Sequence, residues 1–291
     1  MLFGKVFAPF AASVALIAAL PAAALERGIP WPGQTGNQWT GSVNGDQIGW
    51  YHHYDQLPVQ GFYDLEYVPM YYSQNLYAQW QTVKNFLSSG AYRPANILAF
   101  NEPDQPSQAN MSPQQAAQQW NQELRPYQQQ GIAISSPQIS YSQDWLGQFM
   151  SILQNQYGAS PDFIALHFYG TADQNGLNGL RSYVEAIHNA YGKDIWLTEL
   201  GVQAANNPSE QQVDNWLHQS LEYLQGTGFV KRVAWFGAFA QNQNPDNYVS
   251  NYNAYYSSAD DGSLTELGND WCHNPNLRRR NLPRGLRRQE N

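Results

Sequence analysis

The sequence predicts an α/β chain folded as a single-domain (β/α)8 TIM barrel. Eight short apolar runs alternate with segments of helical periodicity, and that alternation builds parallel sheets. The length, 291 residues, suits one large barrel core. Two of the runs end abruptly in a glutamate, at the strand end where barrel enzymes place their chemistry. A doubly wound open sheet would show the same alternation, because periodicity does not report closure.

Arg27 to Trp31 reads as the first strand, and Pro32 to Asp46, rich in Gly, Asn and Gln, as a loop with little room for a helix. Ile48 to Tyr51 is the second strand, followed by a polar aromatic segment with His52, His53 and Tyr54. Leu65 to Met70 is the third; Leu76, Trp80, Val83 and Leu87 then recur at helical spacing, with Gly90 as the stop. Asn96 to Phe100 is the fourth strand, which Pro103 cannot extend. Ser112, Pro113 and Gln115 spell a helix start with a capping box. Ile132 to Ser135 is the fifth strand, and Asp144 is expected to cap the helix that runs to Gly158. Phe163 to Tyr169 is the sixth, with Leu177, Leu180, Val184 and Ile187 forming the next helical face. Ile195 to Leu197 is the seventh, with Gly201 read as a turn; Ser209 and Gln212 make a second capping box. Val233 to Phe236 is the eighth, then an Asn- and Tyr-rich loop and a last helix over Leu264 to Trp271.

Residues 1–24 have the pattern of a secretory signal: Lys5, an apolar stretch from Ala11 to Leu20, and Ala22-Ala23-Ala24 as a cleavage site. That predicts a secreted, extracellular or cell-wall protein with a mature domain over 25–277. No other stretch is long enough to span a bilayer. Residues 278–291 hold six arginines and read as a disordered tail. With the net charge at −8, the remaining body is strongly acidic, which speaks against nucleic acid. The one cysteine, Cys272, cannot form an intramolecular disulfide and is expected to be a buried thiol. Nucleotide, dinucleotide and serine-esterase motifs are missing. No cofactor and no metal are expected, and a monomer is. Ten Trp and 19 Tyr are more than a core needs, and flat aromatic faces suit sugar rings.

The chemistry sits in Asn101-Glu102-Pro103 and Thr198-Glu199, at the ends of the fourth and seventh strands. Two carboxylates facing one cavity are what glycosidic bond cleavage needs: one gives a proton to the leaving oxygen, and the other attacks the anomeric carbon or activates a water. Taken singly, each glutamate could equally cap a helix or pair with an arginine. His167 and Tyr169, two apart on the sixth strand, share a face that is read as pointing into the cleft.

Phe100-Asn101-Glu102-Pro103-Asp104, Asn110-Met111-Ser112-Pro113, Leu166-His167-Phe168-Tyr169, Trp196-Leu197-Thr198-Glu199 and Val233-Ala234-Trp235-Phe236, in that order, resemble glycoside hydrolase family 128. The resemblance runs from about Arg27 to Trp271. It implies a retaining β-1,3-glucanase on a (β/α)8 barrel, most simply endo-acting, with Glu102 as acid/base and Glu199 as nucleophile. The strand count reaches the same two positions independently. Retention needs the carboxyl groups about 5–5.5 Å apart. Asn101 is then expected on the sugar 2-hydroxyl, Tyr169 near Glu199, and His167 orienting one carboxylate. Trp235 is expected to floor the cleft, with Trp50 and Trp31 as further stacking residues. A non-catalytic glucan-binding protein and a glycosidase for another β-linkage are the rival readings.

Overall fold

A computed structural model describes residues 25–32, 39–62 and 64–277. The signal-like segment and the arginine-rich tail lie outside the described residues. Eight strands run in chain order: β1 (Glu26–Trp31), β2 (Ile48–His53), β3 (Glu66–Tyr67), β4 (Asn96–Ile97), β5 (Ala133–Ile134), β6 (Ile164–Gly170), β7 (Ile195–Val202) and β8 (Val230–Trp235). The helices are α1 (Thr40–Val43), α2 (Tyr77–Ser88), α3 (Pro113–Gln119), α4 (Arg125–Gln128), α5 (Gln143–Tyr157), α6 (Gln174–Tyr191), α7 (Glu210–Thr227) and α8 (Glu266–His273).

The strands form a ring built from two parallel ladders. One runs β3-β2-β1-β8-β7-β6, and the other pairs β4 with β5. Two seams close the ring. Met70 bridges Leu98 between β3 and β4; Ser135–Phe163 and Ile139–Leu166 bridge β5 to β6. Backbone bonds span both seams, with Tyr71 N–H to Leu98 O at 3.0 Å and Ser136 N–H to Phe163 O at 2.9 Å. The first units are thin: α1 has four residues, and no helix separates β2 from β3 among the described residues.

Local chemistry sets the helix ends. Ser112/Gln115 and Ser209/Gln212 both form complete capping boxes. Helix α5 departs from expectation: Ser142, not Asp144, is its N-cap, accepting from Trp145 N–H at 3.2 Å, while Asp144 lies in the first turn. There its charge faces the positive end of the helix dipole. Leu98, Ala165, Trp196 and Ala234 point inward from their strands and pack with Trp50, Val68, Met70 and Phe163 as an apolar plug in the barrel. Arg232 closes the amino-terminal mouth below it, 4.2 Å from the Trp196 ring centroid and paired to Glu26 and Glu66 at 2.7 and 2.6 Å. The outward faces join the helices in one large core.

This inside/outside division corrects three expectations. Trp235 is fully buried on the outward face of β8, between Trp216 of α7 and Trp271 of α8, and its indole N–H donates to Asn253 O at 3.0 Å. Trp50 lies inside the barrel but in the apolar plug at the amino-terminal side, with its indole N–H towards Glu26 O. Trp31 is buried in the outer core, edge-on to Phe62 at 5.0 Å. None of the three offers a free ring face to a sugar. Gly201 is no turn either. It continues β7, where an added Cβ would come within 3.0 Å of the Tyr169 ring and 2.9 Å of Asn253 Nδ2. Cys272 is buried and free, with its thiol pKa pushed up by burial.

Candidate active site

Strand β7 carries the central irregularity. Against β6, Leu166 pairs with Leu197 but His167 pairs with Glu199; against β8, the register also slips between Leu197 and Leu200. One extra residue therefore bulges from β7 at Thr198. A bulge of this kind re-aims the next side chain. Leu197, Leu200 and Val202 all join the outer core, so strict alternation would have sent Glu199 outward with Leu197. Instead it faces the cavity above the apolar plug. Thr198 O accepts from His52 Nε2 at 2.9 Å, which fastens the bulge to β2.

Glu102 reaches the same cavity by a different distortion. Its φ of 42° is left-handed, which is strained for a side-chain-bearing residue. The surroundings hold it: its N–H donates to Gln138 O at 2.8 Å and its carbonyl accepts from Gln105 N–H at 3.0 Å. Asp104, just beyond, accepts from the backbone of Ser140, Tyr141 and Ser142, tying this turn to the loop before α5.

The side chains converge. His167 Nδ1 is 2.8 Å from Glu102 Oε1 and 3.3 Å from Glu199 Oε2. One ligand-type atom from each of Glu102, His167 and Glu199 lies within 4.8 Å of the others. Glu199 is gripped on both oxygens: Tyr54 donates to Oε1 at 2.5 Å, and Tyr169 donates to Oε2. Glu102 is the more open of the two, with 14% of its side chain exposed against 8% for Glu199.

The electrostatics follow from burial among charges. Burial pulls the His167 pKa down, but the charges of Glu199 and Glu102 and the hydrogen bond to Glu102 outweigh it and raise it. Burial raises Glu199, with help from the Glu102 charge; His167 and the two phenols pull it back. Burial first, then the Glu199 charge, push Tyr54 and Tyr169 well above an ordinary phenol, so both stay protonated donors. His52, fully buried, drops to about 3 by desolvation and is a neutral donor to Thr198.

Around this centre, Asn101 is buried, with Nδ2 at 3.5 Å from Gln108 Oε1 and Oδ1 buried without a hydrogen bond. Tyr72 donates to the same Gln108 oxygen. On the rim, Gln203 Nε2 donates to Tyr169 O at 2.6 Å and to the Tyr248 hydroxyl at 2.8 Å. Tyr248 is half exposed and sits edge-on to Tyr169 at 5.8 Å.

The structure thus brings together Glu102, Glu199, His167, Tyr169 and Asn101, and leaves Trp235, Trp50 and Trp31 outside. Tyr54, Tyr72, Gln108 and Tyr248 are additions. Tyr54 was readable: it is four residues past inward-facing Trp50, and β-strand alternation carries Trp50, His52 and Tyr54 to one side. His53 takes the other side, stacked on Tyr51 and Tyr67. Among the described residues, two groups could hold a cation by donor type, Glu102/His167/Glu199 and Asp214/His218/Asp270. In the first, both Glu199 oxygens already accept from phenols, so an ion would have to displace one.

The sequence model of the glycosyl hydrolase catalytic core family matches residues 28–271. Alkali-sensitive linkage protein 1 of Schizosaccharomyces pombe is 31% identical over 250 residues, 84% of this chain. The chain spans only 43% of that protein's length. A family 128 curdlan-specific exo-β-1,3-glucanase from Blastomyces gilchristii superposes with a TM-score of 0.67 at 26% identity, covering 85% of this chain and 97% of its own. A family 128 endo-β-1,3-glucanase from Amycolatopsis mediterranei, solved with laminarihexaose, gives 0.67 at 27% identity over 84% and 98% of the two chains. With the match running almost from first strand to last helix, the chain belongs to glycoside hydrolase family 128, the glycosyl hydrolase catalytic core family, and is a glycoside hydrolase on a (β/α)8 barrel.

Proposed function

We propose that this chain is a β-1,3-glucanase that cleaves with retention of configuration. One observation carries the reading: one carboxylate oxygen of Glu102 and one of Glu199 lie within 4.8 Å of each other and of a shared histidine nitrogen. A gap of that order suits direct attack by one carboxylate; inversion needs roughly 6.5–9.5 Å to admit a water. The substrate class rests on the β-1,3-glucanases from Blastomyces and Amycolatopsis named above.

Glu199 is the nucleophile. Two phenol donors and the His167 imidazole favour its charged form and fix which oxygen lone pairs face the sugar. Glu102, more open and bonded only to His167 among the described side chains, is the acid. In the first step Glu102 gives its proton to the glycosidic oxygen, Glu199 bonds to C1, and the shortened glucan leaves with a new hydroxyl. In the second, Glu102 takes a proton from water, the oxygen of that water bonds to C1, and the Glu199 ester bond breaks. Asn101, with its buried free acceptor, suits the 2-hydroxyl of the reacting sugar.

Laminarihexaose digested inside an NMR tube tests this. We expect the β-anomer as the first-formed reducing end; the α-anomer would assign inversion and remove Glu199 as nucleophile. We propose internal cleavage, so early time points should show a ladder of oligosaccharides; glucose alone would assign an exo mode. Glu102→Gln and Glu199→Gln should each abolish product. A wild type that binds laminarin and releases nothing would leave a glucan-binding protein as the better account. We also propose secretion, supported by the composition of residues 1–24. An N-terminus near Leu25 on protein recovered from culture medium is the expected mass-spectrometric result.

A further inference from the structure

The carboxyl-terminal face of the barrel holds a second concavity that the chemistry above does not use. It is a hollow of about 380 Å³ between the loop after β7 and the loop after β8. Pockets of roughly 300–1,000 Å³ are the size that holds small ligands. Its lining is chemically selective: Asn207, Ser209, Asn244, Asn247, Asn251 and Tyr252 supply amides, hydroxyls and one aromatic ring, and no Asp, Glu, Lys or Arg lines it. No charged side chain lines it to pair with an ionic ligand. It fits a neutral polyol: amides match vicinal hydroxyls, and a ring face matches the apolar side of a pyranose.

The hollow is also rigid where it needs to be. Asn244 Nδ2 donates to Val249 O at 2.7 Å and to Asn251 Oδ1 at 2.9 Å, holding the loop after β8 in one shape. That loop is fastened to the end of β7 by Ala204 N–H to Tyr248 O at 2.8 Å, Ser250 N–H to Val202 O at 3.0 Å, and an antiparallel bridge between Gln203 and Val249. Asn207, Asn247 and Tyr252 remain, exposed and without a side-chain hydrogen bond among the described residues. Pre-formed walls with free donors and acceptors lower the ordering cost of binding.

Its position supplies the ligand's identity. The segment that walls the hollow is the one that carries Tyr248, whose ring meets Tyr169 at the cleft edge. Cleft and hollow are thus on two sides of one short loop. We propose that the hollow is a second carbohydrate-binding site that takes a glucan chain after it has left the cleft across Tyr248, so that long chains are held at two places and short ones at one. This rests on the β-1,3-glucan reading above for the class of chain.

The test uses the full-length protein in the Glu199→Gln background, so that bound chains stay intact. Tyr252→Ala and Asn247→Ala are each added, and laminaritriose and soluble laminarin are titrated by calorimetry. We expect laminarin to bind roughly fivefold or more weakly in both added variants, the scale of losing one well-placed contact, and laminaritriose to bind as before. In the otherwise wild-type enzyme the same substitutions should raise KM on laminarin and leave turnover of laminaritriose alone. Unchanged laminarin affinity, or an equal loss on both ligands, overturns the second site. The two readings fail separately. Cleavage without any Tyr252 or Asn247 effect removes only the hollow; a Tyr252-dependent affinity with no cleavage by wild type removes only the hydrolase mechanism; no glucan binding at all removes both.

Discussion

Replacing Tyr54 by phenylalanine removes one hydroxyl and leaves the ring. That hydroxyl donates at 2.5 Å to Glu199 Oε1, inside a site where Glu199 is 6% exposed. Tyr169 and His167 both address the other oxygen, so Oε1 would be left with no donor among the described residues. A hydrogen bond to a charged group contributes about 1.5–3 kcal/mol, and a buried acceptor left bare falls at the upper end. At about 1.4 kcal/mol per factor of ten, kcat/KM should fall by about tenfold to a hundredfold or slightly more. The pH dependence distinguishes this from a lost sugar contact. A donor to the carboxylate favours its charged form and lowers its pKa. Without Tyr54 the Glu199 pKa rises further, and the acidic limb of the kcat/KM profile moves to higher pH. The loss should be largest at acidic pH and shrink as pH rises. Initial rates on laminarihexaose across the pH range read both effects. A uniform loss with an unmoved acidic limb would refute the assignment of Tyr54 to the nucleophile.

Trp235→Ala should cost about 3–5 kcal/mol of stability, the range for emptying a fully buried tryptophan site, and leave KM unchanged at temperatures where the variant is folded; a raised KM with unaltered Tm would return this residue to the cleft. Gly201→Ala places a methyl 3.0 Å from the Tyr169 ring, so the ring must give way and its bond to Glu199 with it; the expected result is a drop in kcat of about tenfold or more, from overpacking of order 1–3 kcal/mol, and an unaltered kcat would show that the ring yields without moving its hydroxyl. His52 and His53 have folded pKa values lowered to about 3 and about 4 from 6.5, chiefly by burial. Both stay neutral in the fold and charge readily when unfolded, so their stabilising effect is present above pH 6.5 and is lost as pH falls from there towards 4 and then 3. Denaturant titrations of wild type and His53→Phe should diverge over that window, with the variant losing less on acidification; parallel curves would count against buried neutral His53.

The strands could be read from composition because a strand covered on both sides is largely apolar, as Ile97 to Phe100 and Ile195 to Leu197 are. The two glutamates could be read because each ends such a run. What the sequence hides is parity. Which of two neighbouring residues faces the cavity depends on register, and register depends on bulges that leave no compositional mark. Thr198 is the clearest instance: one extra residue reverses the alternation of β7, so that Leu197 and Leu200 share a side and Glu199 takes the other. The same blindness put Trp235 in the cleft, although the residues packed against it, Trp216 and Trp271, belong to helices outside the ring. Tyr54 lies beyond the last apolar residue of its strand, where composition reads as loop, and only the alternation carried on from Trp50 through His52 points to it.

The two glutamates stand on different ladders. Glu199 belongs to the six-stranded sheet, together with His167 and Tyr169; Glu102 follows the two-stranded pair β4–β5. What joins those ladders is a few single bridges and the backbone hydrogen bonds beside them, at two seams. The distance on which bond cleavage depends is therefore set across two seams that no continuous ladder crosses. Warming should part the seams before it melts the sheets, since isolated bridges give way at lower cost than continuous pairing. The enzyme would then fall silent while its circular dichroism is still that of the folded barrel, and on cooling it would recover at the pace of two edges closing, not of a chain refolding. For anyone seeking a heat-tolerant variant, the place to reinforce is the amino-terminal part of the join between β5 and β6, around the Ser135–Phe163 bridge, and not the Ile139–Leu166 bridge beside His167.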